Sequence, residues 1–579
     1  MNVLKASRKQ KTLSFSFRQS SRGGQLLGGA TRVKRDEGSI ISNDTKTFAY
    51  FLALGIPPST PTEDLRTGMA PQVLYKYPED AELPVADIAS FCYPACNIPI
   101  SRVGGPESLA QLYRTVFSHD CTEVDAFADS FAFLFTVGLS DQRLLYGVCL
   151  TYEEIVSVPP SFLRKPYPEV EESLRQKSTF FIAPRCFCML SEFPFFKPHL
   201  SVLKGIACAE RHNADVLLNK VMEAQMLGTT EREHSGTDAD PVRRMMSGDD
   251  QYIASEMIVD QYYTLAVPPP ERVANCVLQT QPKPVQFTFQ TGSERELLAD
   301  WCLPKLAQMF SFKEFLVFFA ALMLEKSVLV LSKNLDSAAA VIMSAIPLLH
   351  PIVWQGPMIP ILPRNMVEYL DAPVPSLIGT SLVDDAKKAE LAEHCLIMDC
   401  DHRTVTAPKM KRLPNRSKLD DLRKHYQSLA SKNLSATEQA RVVRQFLLGV
   451  RVYHNLLEEV VIGSIMQAGV ELSDSVDRLE RAAAAAPSGW SDFLREIFQA
   501  QHYVMYVWGI QKGISEKQAS MQDKWEQVAQ KIADAEQELT QLDEIIRVHV
   551  QKRDEVRHRL QALAKVKAAL QGEVHHAKK

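Results

Sequence analysis

A short apolar strand, a helix and a second apolar strand, in that order, constrain the fold of this chain more than any other feature. SVLVLS (Ser327–Ser332) has the length and branching of a buried strand, SAAAVIMSAIPLL reads as a helix, and MIPILP as the next strand. That order implies parallel pairing, because parallel neighbours need a crossover, and a parallel sheet is covered on both faces. Cover is available just upstream. SERELLADWCLPKLAQMF puts Leu297, Leu298, Trp301 and Leu306 on one helical face, and FKEFLVFFAALMLEK has the composition of a buried helix. CLIMDC and DHRTVTA supply a later strand and turn, which completes an α/β unit.

The stretch beyond MIPILP is unusual. EYLDAPVPSLIGT (Glu368–Thr380) holds Pro373 and Pro375, each lacking an N–H and fixing φ, so neither a plain helix nor a plain strand runs through it. We expect an extended, polyproline-like arm across the edge of the sheet, stiffened by the two prolines. Asp371 stands where its carboxylate can accept local backbone N–H bonds, Leu377 and Ile378 re-enter the core, and Gly379 permits a turn. Such an arm either closes the lobe or offers a rigid surface to another protein.

The rest of the 579-residue chain divides around this unit. Residues 1–46 are basic and free of acids before Asp36; they read as a disordered tail able to touch acidic lipid, with a mitochondrial transit peptide as the other reading. Over residues 47–227, TFAYFLALGI, PQVLYKYP and the hairpin DSFAFLFTV–GLSDQ–RLLYGVCLTY describe a small sheet carrying helices. Residues 228–250 are polar and aperiodic, as in a linker. The α/β unit takes residues 251–420. Helices take 421–514, one of them opened by the capping box SATE (Ser435–Glu438). Residues 515–579 are of another kind, because Trp525, Val528, Ile532, Ala535, Leu539, Leu542 and Ile546 keep the spacing of heptad a and d positions. The register falters at His549 and Arg553 and resumes at Val556, Leu560 and Leu563. A coiled coil here would join two copies or capture an effector helix.

Catalytic signatures are missing: there is no GxxxxGK[ST], no GxGxxG after a strand, no HExxH and no GxSxG. Cys92 and Cys96 with Cys186 and Cys188 can be drawn as a four-cysteine zinc site, but the spacings are not those of a finger or ribbon. We read them as core thiols, with no metal and no cofactor. His119 and Cys121 are sequence neighbours of the kind that chance supplies. A net charge of −4 argues against a nucleic-acid partner. FLVFFAALML is too short to span a bilayer. With eleven cysteines and no secretory leader, a cytoplasmic chain with reduced thiols is expected.

Taken together, LEKSVLVLS (Leu324–Ser332), AIPLLHPIVWQGPMIPILP (Ala345–Pro363) and EYLDAPVPSLIGT resemble the central segment of the DENN domain. Trp354, Gln355, Pro360, Pro363, Tyr369, Leu370, Asp371, Ala372, Pro373, Pro375, Ile378 and Gly379 stand at matching positions. ASFCYP (Ala89–Pro94) and RLLYGVCL resemble the upstream module (uDENN), and Phe446–Leu457 the downstream one (dDENN), so the likeness runs from Thr47 to Ile510. Ala95-Cys96, His350 and Ser376 depart from the pattern.

The resemblance implies two lobes, a longin-like upstream lobe and an α/β lobe joined to the downstream helices. It implies a guanine-nucleotide exchange factor for a Rab-type small GTPase in vesicle-mediated transport, cytoplasmic and peripheral on vesicle or endosomal membranes. Contact with the GTPase is expected through Asp371, Pro373, Pro375 and Ser376, while Trp354, Gln355, Pro360, Pro363, Tyr369, Leu370 and Gly379 are mainly structural. Two alternatives remain open. Folliculin-type relatives stimulate GTP hydrolysis through a hairpin arginine, a part that Arg143 could take as an arginine finger. The other alternative is a scaffold that recruits a partner through its coiled coil.

Overall fold

The computed structural model describes residues 45–576, other than 62, 67, 105–116, 118–130, 139–143, 164–178, 228–254, 270–272, 281–283, 416–418, 432–433 and 470–475. The expected basic tail as far as residue 44, and the linker at 228–250, lie outside those residues. The chain forms two compact units, one ending at Val504 and the other comprising Met505–Lys579.

The first unit begins with an antiparallel sheet. Its strands are β1 (Tyr50–Gly55), β2 (Gln72–Tyr77), β3 (Ser101–Gly104), β4 (Phe131–Gly138), β5 (Leu144–Ile155) and β6 (Thr179–Ser191). Their order is β2-β1-β6-β5-β4, with β3 also on β6. The expected hairpin is β4–β5, in which Phe135 lies opposite Gly147. The glycine makes room for that ring, since an added Cβ would stand 2.3 Å from it. Phe51, Phe133, Phe135, Tyr146 and Phe187 are fully buried.

Residues 255–290 are built onto this sheet rather than onto the α/β unit to which their place in the sequence assigns them. Tyr262, on the helix Ser255–Thr264, stacks on Phe48 at 5.7 Å and bonds His199 Nδ1 through its hydroxyl at 2.8 Å. The hairpin β7 (Val273–Leu278) and β8 (Val285–Gln290) presents Phe289 edge-on to Phe195 at 5.0 Å. The cause is physical: a two-stranded ribbon cannot bury its own apolar face and must borrow a surface.

Next in the chain comes the α/β unit. Helices Glu294–Met309 and Phe312–Met323 each open on a capping box, Ser293 with Glu296 and Ser311 with Glu314. Strands β9 (Val328–Leu331), β10 (Met358–Ile359), β11 (Leu377–Thr380), β12 (Leu396–Asp399) and β13 (Thr404–Thr406) stand in the order β10-β11-β9-β12-β13. All pairs but β12–β13 are parallel. The strands of SVLVLS and MIPILP run parallel as expected, yet they are not neighbours. Strand β11, the continuation of the proline arm, lies between them. Helix Leu335–Met343 packs against β9 and β11 and also against β4 of the first sheet, so it joins the two sheets. Ala338, Ala339 and Ala340 are fully buried there, and their small size lets the layers approach closely.

Helices Asp420–Leu429, Ala436–Ala468, Val476–Ala485 and Ser491–Ile497 complete the first unit. The SATE capping box forms as expected, with Ser435 accepting from Glu438 N–H. Tyr426 donates its hydroxyl to the Phe310 carbonyl at 2.9 Å, and Phe446 lies edge-on to Phe315 at 5.5 Å. Helix Gln501–His576 then runs without a break through the boundary expected at residues 514 and 515. Among the described residues no helix is long and apolar enough to cross a membrane.

Candidate functional site

The proline arm is clamped by its backbone. The N–H of Leu377 donates to the Pro357 carbonyl at 2.9 Å, that of Leu362 to the Gly379 carbonyl at 2.7 Å, and that of Val328 to the Ser376 carbonyl at 2.8 Å. Two glycines make the crossings possible. A Cβ on Gly356 would meet the Pro375 carbonyl oxygen at 1.9 Å, and one on Gly379 would meet the Pro360 oxygen at 2.1 Å. Gly379 therefore makes no turn, contrary to the sequence reading; it sits within β11, where close backbone approach demands it. The stretch Arg364–Asp371 also differs from the extended path expected, because it winds into 3₁₀ turns before Pro373 ends them.

This clamping sorts the motif residues. Trp354, Pro360, Pro363 and Gly379 are buried, and Tyr369, Leu370 and Pro375 are half-buried. Gln355 is exposed and donates through Nε2 to the Val353 carbonyl at 2.8 Å. Among the four residues expected to touch a partner, Asp371 and Pro373 are exposed, but Ser376 is turned inward, its N–H donating to Ser327 Oγ at 3.2 Å. The surface offered along 364–374 consists of Arg364, Asn365, Val367, Glu368, Asp371, Pro373 and Val374. Three of these are apolar, Pro373 together with Val367 at 37% and Val374 at 46% exposure. Asp371 is held by Lys387 Nζ at 2.5 Å, and the same ammonium, bonded by Asp371 and Glu390, has its pKa raised.

The upstream motif reaches the same place. The N–H of Arg364 donates to the Pro94 carbonyl at 2.7 Å, and Cys96, with φ of 56°, sets its sulfur 3.6 Å from Asn365 Oδ1. FCYPAC and ILPRN thus meet at one edge of this surface. Arg143 lies outside the described residues, as do His119 and Cys121.

Sequence reasoning missed one pair. Glu325 ends the helix of LEKSVLVLS with φ of 52°, and its buried carboxylate accepts the backbone N–H groups of Gln501 and, at 3.2 Å, His502. The fully buried His502 ring lies 3.3 Å from the same carboxylate through Nδ1 and packs 5.7 Å from Trp354. The available signal was an acid placed at the end of an apolar helix.

The cysteines group differently from the four-residue set drawn from the sequence. Cys92, Cys149 and Cys186 bring their sulfurs within 4.8 Å of one another, and Cys92 and Cys149 are 3.5 Å apart. Cys96 belongs instead to the surface beside Asn365. Burial pushes the Cys92 thiol up to about 11 and those of Cys149 and Cys186 well above the ordinary thiol range, which favours the neutral, apolar form.

The DENN (AEX-3) domain family matches residues 182–403, which hold the clamp, the arm and strands β9 to β12 beneath them. Over these residues the chain is similar to the DENN domain. It is 25% identical over 232 residues to DENN domain-containing protein 1C of Mus musculus, a stretch covering 39% of this chain and 26% of that protein. It is 25% identical over 234 residues to DENN domain-containing protein 1B of Homo sapiens, covering 38% and 26%. A longer match, 24% identical over 371 residues, is to the MAP kinase-activating death domain protein of Caenorhabditis elegans, covering 60% of this chain and 24% of that one. The chain spans about a quarter of the length of these relatives.

Proposed function

We propose that this chain is a guanine-nucleotide exchange factor for a Rab-type small GTPase in membrane traffic, acting by stabilising the nucleotide-free GTPase. The observation that carries the reading is the proline arm. Its DENN motif residues are fixed to the sheet by backbone bonds, while Val367, Glu368, Asp371, Pro373 and Val374 face outward beside the FCYPAC turn. A segment already ordered loses little conformational entropy on binding, so its contact energy is available to distort a partner. Exchange is then a matter of linkage: whatever factor the chain lowers nucleotide affinity by is the factor by which nucleotide weakens the complex. Such a mechanism needs no acid, base or nucleophile.

In this reading the upstream antiparallel sheet serves as the longin-like lobe, the basic N-terminus supports peripheral contact with vesicle or endosomal membranes, and the C-terminal helix self-associates. The test is release of a fluorescent GDP analogue from a panel of Rab proteins. At least one should exchange faster with the chain, and Asp371→Lys with Val374→Asp should reduce that rate about tenfold or more, as expected when about 1.4 kcal/mol or more of interface energy is lost. No acceleration across the panel would remove the proposal.

A further inference from the structure

Helix Gln501–His576 turns a row of large apolar side chains to solvent. Leu539 is 61% exposed, Leu542 52%, Ile546 58%, Val556 54%, Leu560 62% and Leu563 64%. A stripe of this extent marks a surface that another molecule covers. These are the heptad a and d positions, interrupted at His549 (d) and Arg553 (a).

The row is its own mirror image. Reflection about Gln551 carries Leu539 to Leu563, Leu542 to Leu560 and Ile546 to Val556, and it exchanges His549 with Arg553. Any a/d row reads alike in reverse, a meeting d as antiparallel helices require; what is particular here is that the polar pair His549 and Arg553 falls at the centre, where the reflection sets one against the other. A parallel pair would instead set a against a, stacking Arg553 on Arg553 of the second copy and His549 on His549. Beyond this stretch the reflection sets Ala535 against Lys567, a break in the seam, and then carries Ile532 to Leu570 and Val528 to Val574.

Charge beside the seam makes the same choice. With Leu539 at a, Asp543 and Arg557 fall at e and Glu538 and Lys552 at g. Antiparallel helices face e with e, so Asp543 meets Arg557 of the second copy, twice. Lys552 facing its own copy is the one like-charge contact. Parallel helices face g with the next e, which sets Glu538 against Asp543 and Lys552 against Arg557, each twice.

We propose that residues 536–567 pair with a second copy of this chain as an antiparallel two-stranded coiled coil centred on Gln551. The proposal rests on reading this helix as self-associating, and the experiment separates the two. Full-length chain is taken through sedimentation equilibrium, with Asp543→Arg, Arg557→Asp and the double variant beside the wild type. A dimer is expected, weakened roughly fivefold to tenfold by either single change and restored by the pair. A monomeric mass would remove both self-association and its orientation. A dimer that Asp543→Arg strengthens is a parallel one and overturns the orientation alone.

Bismaleimide cross-linking gives an independent reading, using two differently tagged full-length chains and wild type as the blank for native cysteines. Leu542→Cys on one chain should join Leu560→Cys on the other, and Leu560→Cys alone should give no product above the blank. A Leu560→Cys homodimer product without the mixed one would contradict the mirror.

Discussion

The backbone N–H of Arg364 donates to the carbonyl oxygen of Pro94 across 2.7 Å. Some 270 residues of sequence separate the two, and the bond ties the FCYPAC turn of the upstream sheet to the ILPRN exit of the α/β sheet. Arg364 opens the 3₁₀ segment after Pro363, whose ψ of 153° is extended.

That setting permits a selective test. Proline is tolerated at the first position of a helical turn and after an extended residue, so Arg364→Pro deletes little besides the donor. It should cost about 1–2 kcal/mol by leaving the Pro94 carbonyl only the weak bond from the Cys96 thiol at 3.8 Å, whereas Arg364→Ala at this exposed side chain should stay within about 0.5 kcal/mol. Denaturant midpoints of the two variants measure the difference.

Gly379→Ala places a methyl group 2.1 Å from the Pro360 carbonyl oxygen, on a strand flanked by β9 and β10. Backbone cannot yield as a side chain does, so about 2–3 kcal/mol of stability should be lost, with the arm displaced. A melting temperature equal to wild type would show that the clamp is loose.

Glu325→Ala removes the acceptor for the N–H groups of Gln501 and His502. We expect a loss of about 1–3 kcal/mol, and Glu325→Gln, which keeps one acceptor oxygen, should recover part of it. Thermal melts of both variants decide whether the carboxylate or only its shape matters.

Much of the α/β unit was legible in the sequence because it obeys simple periods. The buried helices, the capping boxes at Ser435–Glu438 and the short strands each declare themselves locally. The order of the strands does not. That β11 enters between β9 and β10 goes with close backbone contacts of Gly356 with Pro375 and of Gly379 with Pro360, which the periods of helix and strand do not encode. For the same reason Pro373 was visible as a breaker, while the inward turn of Ser376 toward Ser327 was not. Residues 255–290 were assigned to the wrong side because apolar alternation says that a ribbon is covered, not by what. Glu325 and His502 were invisible as a pair because nothing links them but the fold.

Stability should fall on mild acidification, and two buried histidines set the window. Burial holds His199 down at about 3, between Tyr262 and Ser191, and burial likewise holds His454 at about 4 despite its bond to the Leu348 carbonyl. Unfolding frees both to bind protons near 6.5, so the unfolded state holds more protons below that pH. The contribution is therefore intact above pH 6.5 and declines by about 1.4 kcal/mol per pH unit for each ring as pH falls toward its folded value. Denaturant titrations at pH 7.5 and 5.0 should differ by up to about 4 kcal/mol, and His454→Gln should shrink that gap.

If the chain grips a GTPase in its empty state through the arm beside the FCYPAC turn, as proposed, nucleotide decides what it retains. The most direct measurement is capture of candidate Rab proteins on immobilised full-length chain, each presented nucleotide-free, GDP-loaded and GTP-loaded. Strong retention of one nucleotide-free Rab, released by added GDP or GTP and lost with Asp371→Lys and Val374→Asp, is the predicted result. Retention that ignores the nucleotide, or that favours the GTP-loaded form, would contradict it.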